Sequence, residues 1–348
     1  MIKEIAETIE RDGPLPLARA MALAANHYYA TREPFGTTGD FVTSPEISQI
    51  FGELVGLFFA DLWARAGSPS PFLLVEAGPG RGTLMADMLR ACRHALPAFA
   101  EAAQLHLIEQ SPRLRAIQQR AFPSAIFHER LDTLPTDAPL LFVANEFLDA
   151  LPLTQFERTD LGWALRAVTA DGWDLSTPAN IQLVPEEIRD AVPGSVYERN
   201  FAAETLVAGV ARRIAAQGGA ALIIDYGYSG PALGDTLQSI HHGQFADVLQ
   251  TLGEADISAH VDFTAMARAA RPHATVYGPI DQGVLLLALG IRARADRLRA
   301  AASIETRAEI EAAVARLTSP GSMGRLFQAL AFTAPGWPQP SGFPTSTR

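Results

Sequence analysis

A single cysteine, Cys92, stands in a chain of 348 residues. One thiol can neither close an internal disulfide nor build a thiolate metal cage. Cys92 reads as a small buried hydrophobe, compatible with a reducing compartment. Long apolar runs are also missing. Val284–Leu289 is far shorter than the ~20 residues that span a bilayer, so no membrane insertion is expected. Positive charge is in deficit, with 28 Lys+Arg against 38 Asp+Glu, a formal −10. Proteins that coat nucleic acid are basic, which argues against that class and in favour of a cationic partner. No His, Asp and Glu set has metal-ligand spacing, so no metal is expected. No Gly-x-Ser-x-Gly elbow marks a hydrolase, and no internal repeat marks a solenoid. The first residues carry Glu4, Glu7, Glu10 and Asp12 on an amphipathic helix. That differs from a basic secretion signal and from an acid-poor transit peptide, so a cytoplasmic location is expected.

Hydrophobic residues are 48% and charged residues 19%, the balance of a globular protein. The chain up to residue 70 reads as helical, with Ser44-Pro45-Glu46 opening a long helix. From Pro71 strands and helices alternate: Phe72–Glu76, Leu84–Ala95, Gln104–Glu109, Arg113–Ala121, Ala125–His128 and Leu140–Ala144. This rhythm predicts an α/β fold, a doubly wound, mostly parallel sheet with helices on both faces. The pattern breaks at 153–219, read as an insertion after the fourth strand. It resumes at Ala220–Ile224, and Thr275–Tyr277 with Val284–Leu289 are expected to be the last strands. The expected organisation is one elaborated domain: an N-terminal segment over 1–70, a core over 71–291, a helical tail over 292–334, and a poorly packed end over 335–348.

The strongest local signal is Glu76-Ala77-Gly78-Pro79-Gly80-Arg81-Gly82, between an apolar strand and a helix. Alternate glycines let the backbone turn and press against a ligand. Thr83 stands where the dinucleotide fingerprint has its third glycine, which disfavours a nicotinamide oxidoreductase. Glu76 brings a negative charge, unwelcome beside phosphates and useful beside a cation. Glu109, ending the next strand, can accept both hydroxyls of a ribose.

Together these features resemble a class I S-adenosylmethionine-dependent methyltransferase. The resemblance implies S-adenosyl-L-methionine as cofactor, with Glu76 facing its cationic end and Gly78, Gly80, Gly82 and Thr83 lining the loop. Glu109 then holds the ribose, and Leu131 and Asp132 meet the adenine. Further segments sharpen the match: Tyr28–Ser48, Asn145-Glu146-Phe147-Leu148-Asp149-Ala150-Leu151-Pro152, Ile224-Asp225-Tyr226-Gly227-Tyr228, Gly234–Gln238 and His260-Val261-Asp262-Phe263. In this order they resemble the MidA-type family, which includes a mitochondrial assembly factor of respiratory complex I. That resemblance implies a protein-arginine methyltransferase whose protein substrate is a complex I core subunit or its bacterial counterpart.

Transfer to a guanidinium brings two cations together, and acids at the site relieve their repulsion. Carboxylates can also grip the guanidinium bidentately. Candidates follow the fourth strand, where such sheets bind ligands: Asn145, Glu146 and Asp149, the two acids sharing a face if the segment is helical. Asp225 ends the fifth strand. His260 and Asp262, two apart on a strand, form a candidate proton-shuttling pair, with His241 and His242 as further candidates. Thr43, Ser44 and Glu46 belong to a segment, 39–46, expected to lid the cofactor. A non-catalytic assembly protein and a small-molecule methyltransferase are the alternatives. The oligomeric state is not legible.

Overall fold

A computed structural model describes residues 1–31, 43–241 and 243–344. The chain divides into two compact units, each drawn from three separate stretches. The first comprises Met1–Phe41, Leu148–Thr205 and Tyr228–Ala265; the second comprises Val42–Phe147, Leu206–Gly227 and Met266–Arg348. The expected single domain with consecutive segments is therefore replaced by an interleaved pair. The N-terminal segment is divided at residue 42, and the excursion expected at 153–219 is joined by a second one after Tyr228.

The second unit holds the alternating pattern. Its sheet strands are β1 (Phe72–Ala77), β2 (Ala103–Ile108), β3 (Ile126–His128), β4 (Leu140–Asn145), β5 (Gly219–Tyr228), β6 (Thr275–Asp281) and β7 (Phe327–Thr333). They run in the order β3-β2-β1-β4-β5-β7-β6. The first five are parallel, and β7 enters antiparallel between β5 and β6. β1 and β4 are buried along their whole length, which is why they read as continuous apolar runs rather than as alternation.

Two elements differ from the expected ends of the sheet. Val284–Leu289 belongs mostly to the helix Gln282–Ala288, with Leu285 and Leu286 buried and Val284 and Leu287 exposed. A short apolar run has no period of its own, so burial on one helical face and burial in a strand look alike. The true partner of β6 is β7, inside the region read as a helical tail. The chain beyond it is also better packed than expected, because Phe343 is buried in the core and Trp337 packs against it.

The helices Gln49–Arg65 (α1) and Thr83–Ala95 (α2) cover one face. A Cβ at Gly56 would lie 2.8 Å from the Met88 backbone, so this crossing is close enough to require glycine. The expected long helix starting at Ser44 is broken. Ser44–Ile47 forms one turn, Ser48 is extended, and its Oγ accepts from Ile50 N–H to cap α1.

The first unit has its own cores. One gathers Ile5, Ile9, Leu17, Met21, Leu153, Val168 and Leu252; another centres on Phe156, Trp163, Val184 and Tyr197. Its sheet contains a hairpin, Thr154–Thr159 with Gly162–Val168, and Leu15–Pro16 pairs with the latter strand. Among the described residues no helix is long and apolar enough to cross a membrane.

In the second unit, β2 and β3 carry a buried histidine pair, His106 Nδ1 and His128 Nε2, 2.9 Å apart. Burial first, then the neighbouring His128, pushes His106 down to about 4. In the unfolded chain a histidine takes up a proton near 6.5, whereas in the fold it resists until well below that. Stability must therefore fall as pH is lowered from about 6.5 toward 4. We expect the melting temperature to drop between pH 7 and pH 5, and the His106→Gln variant to lose several degrees less over the same interval.

Candidate functional site

The site in the second unit begins at the end of β1. Glu76 is only 3% exposed, in a strand where every residue is buried. Its Oε2 has no hydrogen-bond partner among the described residues. Burial, reinforced by the charge of Glu109, raises its carboxyl to about 8. An isolated buried carboxylate is costly, so burial favours the protonated form of this group near neutrality.

The backbone then turns sharply. Gly78, Gly80 and Gly82 all have positive φ, at 64°, 53° and 84°. A Cβ at Gly78 would stand 2.4 Å from the Phe147 ring, and one at Gly82 would stand 2.6 Å from the Phe122 ring. The loop therefore needs glycine both for its dihedrals and for its space. Gly78 N–H donates to Ile108 O at 3.0 Å and Gly82 N–H to Pro79 O at 2.7 Å, and α2 starts directly afterwards at Thr83.

Glu109, at the end of β2, is also buried, and its carboxyl is raised mainly for that reason. Its Oε1 accepts from Ser111 N–H at 2.8 Å. Its Oε2 accepts from Gln118 Nε2 at 3.1 Å. Four lone-pair sites on a carboxylate leave capacity for two ligand hydroxyls. Gln118 also donates to Gly80 O at 2.7 Å, linking the two acidic regions. The sequence reading did not single out Gln118. A signal existed: it lies one turn after Leu114, on the buried stripe of the helix Pro112–Ala121 (α3).

The segment around Thr43 meets the same loop. Thr43 O accepts from Glu46 N–H at 2.9 Å. Thr83 Oγ1 donates to Glu46 Oε1 at 2.6 Å. Ser44 N–H donates to Glu146 Oε1 at 2.7 Å, and Asn145 Nδ2 donates to the same oxygen at 3.1 Å. Thr43, Ser44, Glu46, Thr83, Asn145 and Glu146 are thus joined in one unit. The rest of the expected lid, 39–42, lies outside the described residues. Asn145 Oδ1 is buried without a hydrogen-bond partner among the described residues.

The segment after β4 is not helical. Glu146 has a φ of 49°, the turn begins there, and Asp149 belongs to the first unit. The expected shared helix face of Glu146 and Asp149 does not form, because a left-handed residue stops helical propagation. Asp225 is fully buried, and its two oxygens accept from Phe147 N–H at 3.1 Å and Tyr226 N–H at 3.0 Å. This carboxylate holds the turn after β4 against the end of β5.

Leu131 and Asp132, expected to meet the adenine, lie in a single helical turn. Arg213 holds the Leu131 carbonyl at 2.7 Å, while Asp132 is exposed and ion-paired to Arg130 at 2.9 Å.

In the first unit, Asp262 Oδ1 accepts from Gly230, Thr264 and Ala265 N–H at 3.2, 2.9 and 3.0 Å. It caps the helix Phe263–Ala270. That role competes with the expected partnership with His260, whose backbone N–H donates to Thr236 Oγ1 at 2.9 Å. Burial lowers the His260 pKa and so favours its neutral ring. Buried Asp149 and Asp256 lie near half-buried Tyr29 in this unit, with Tyr29 OH donating to Asp256 Oδ1 at 2.8 Å. His241 ends the strand Gln238–His241; His242 lies outside the described residues.

These residues fit an S-adenosyl-amino-acid cofactor. A buried acid has an oxygen without a hydrogen-bond partner among the described residues, a glycine loop offers backbone, and a second buried acid retains acceptor capacity. Comparison with known proteins agrees. Residues 54–280 match the model of a family of S-adenosyl-L-methionine-dependent methyltransferases. A Drosophila melanogaster protein named protein arginine methyltransferase NDUFAF7 homolog, mitochondrial, is 34% identical, over 95% of this chain and 84% of its own length. The Homo sapiens protein arginine methyltransferase NDUFAF7, mitochondrial, is also 34% identical, over 84% of this chain and 74% of its own. A Burkholderia thailandensis protein solved with S-adenosylhomocysteine shares the fold at a TM-score of 0.83 and 24% identity, covering 99% of this chain and 95% of that one.

The Glu76 carboxyl gives a stability test. Its folded pKa is raised, so the stability it carries is present below about 4.5 and is lost as pH rises toward 8. Glu76→Gln should raise the melting temperature of the unliganded protein, and by more at pH 8.5 than at pH 6. An equal shift at both pH values would contradict the assignment.

Proposed function

The chain belongs to the S-adenosyl-L-methionine-dependent methyltransferase family, and we propose that it methylates an arginine side chain of a protein acceptor. The observation that carries this reading is identity of about one third, along nearly the whole chain, to proteins named as arginine methyltransferases. Following the MidA-type resemblance, the acceptor is a subunit of respiratory complex I (NADH dehydrogenase) or its bacterial counterpart.

The bound cofactor supplies an electrophilic methyl group on a sulfonium. This chain's residues do the rest. Glu76 gives up its proton and meets the cofactor's ammonium group, an exchange that keeps the buried site neutral. The backbone at Gly78, Gly80 and Gly82 allows close approach. Glu109 accepts from the ribose hydroxyls, its own position fixed by Ser111 N–H and Gln118.

An arginine acceptor has five N–H donors and stays protonated at any physiological pH. It therefore needs acceptors rather than a base at the moment of binding. Asn145 Oδ1 and the Glu146 carboxylate are the acceptors at the end of β4 that we assign to it. They orient one nitrogen, and the Glu146 charge offsets the repulsion between the guanidinium and the sulfonium. Alignment of this kind is the main requirement of a direct displacement, and the N–H proton that the attacking nitrogen loses as the methyl arrives passes to the Glu146 carboxylate and from there to water.

Intact-mass analysis of an acceptor protein co-expressed with this chain tests the proposal, with fragmentation to locate the change. The expected result is a gain of one or two methylene units on an arginine. Gly80→Val, which puts a β-branched side chain at a positive φ, should abolish it. Cofactor binding without methylation of any protein would point to an assembly role, and methylation confined to a small molecule would replace the acceptor class.

A further inference from the structure

Gln118 is a polar residue at a position that its helix otherwise gives to the core. Leu114 and Gln118 are the buried residues of α3, and Gln118 is 0% exposed. Burying an amide is tolerated only when its hydrogen bonds are made. Its Nε2 has two hydrogens and two partners, Gly80 O at 2.7 Å and Glu109 Oε2 at 3.1 Å. Both partners are acceptors, which sets the orientation of the amide. Its Oε1 is left without a hydrogen-bond partner among the described residues. The chain thus accepts a desolvated carbonyl oxygen in order to keep an NH₂ group between the glycine loop and the acid. Leu or Met would fill the same volume at no such cost, so packing does not account for a glutamine here.

We propose that Gln118 is a positioning residue that makes Glu109 a reader of the ribose diol. This inference rests on the cofactor reading given above and deepens it. Glu109 ends a strand, and a carboxylate there has free rotation about its side-chain bonds unless something holds it. Ser111 N–H holds one oxygen and Gln118 holds the other. Because the second holder is also bonded to Gly80 O, the acid is referenced to the loop that carries the amino-acid end of the cofactor. The distance between the two recognition points is then set by one side chain. The Gln118 hydrogen bond also favours the ionised Glu109 against burial, and the ionised form is the one that accepts from both hydroxyls.

The readout is discrimination between S-adenosylhomocysteine and its 2′-deoxyribose analogue, measured as a ratio of Kd values by calorimetry. Wild-type protein should prefer the parent compound by at least about tenfold, the size of one charge-assisted hydrogen bond. In Gln118→Leu the ratio should fall toward one, through a loss of parent affinity that the deoxy analogue does not share. Gln118→Met keeps the volume and removes the donors without adding an ionisable group, and should behave in the same way; it carries the test alone if the leucine variant fails to fold. In a Glu109→Ala background, Gln118→Leu should leave the ratio unchanged. A merely structural role would weaken both ligands equally and preserve the ratio, and that result overturns the inference, as does a wild-type protein that does not discriminate. Wild-type protein that binds neither ligand contradicts the cofactor reading instead.

Discussion

The constraint on which the rest depends is a carboxyl group buried at the end of a parallel strand with one oxygen unsatisfied. Glu76 lies in a strand with no exposed residue, and its Oε2 lacks a hydrogen-bond partner among the described residues. A native fold tolerates few such groups, and each asks for an explanation. The explanation we propose is a cation that comes and goes. Without it the acid is held neutral by a raised pKa; with it the ionised form is favoured by a partner inside a region of low dielectric. The net charge of −10 says only that acids are abundant. It is the seclusion of this one acid that has chemical content.

Around Glu76 the molecule divides its labour between positions that touch a ligand and positions that hold those positions still. The glycine loop can turn because its three glycines take positive φ, and Phe147 and Phe122 occupy the space that side chains would need. Gln118 ties the loop to Glu109, and Glu46 ties it to the segment before α1 through Thr83. Asp225 does the corresponding work on the other side by accepting from Phe147 N–H. Of the acids that a charge-based reading puts forward, Asp225 and Asp262 have oxygens occupied by backbone N–H groups. These contacts fix turns and a helix end.

What could be read beforehand follows the same physics. The parallel strands β1 and β4 announce themselves because burial on both faces requires an unbroken apolar run, and the loop after β1 because glycine at alternate positions is unusual. The fold of the second unit was legible to that extent, and so was the placement of Glu76 and Glu109 at the ends of its first two strands. Other features were not. β7 lies among helices in sequence and pairs antiparallel between β5 and β6, a non-local choice that no local pattern records. Val284–Leu289 is too short for its period to separate helix from strand. The turn at Glu146 depends on a left-handed residue without glycine, so nothing in the sequence warns that Asp149 leaves the second unit there. Gln118 was hidden because one polar residue on an amphipathic helix ordinarily means a solvent-facing position.

The central claim, that a secluded proton on Glu76 is exchanged for a cationic ligand, has a direct measurement. Calorimetric titration of S-adenosylhomocysteine at pH 6.5, in two buffers of different ionisation enthalpy, counts the protons released on binding. Release close to one proton is expected in the wild-type protein and little in Glu76→Gln. Heats of binding that are independent of the buffer, in a protein that binds the ligand tightly, would contradict it.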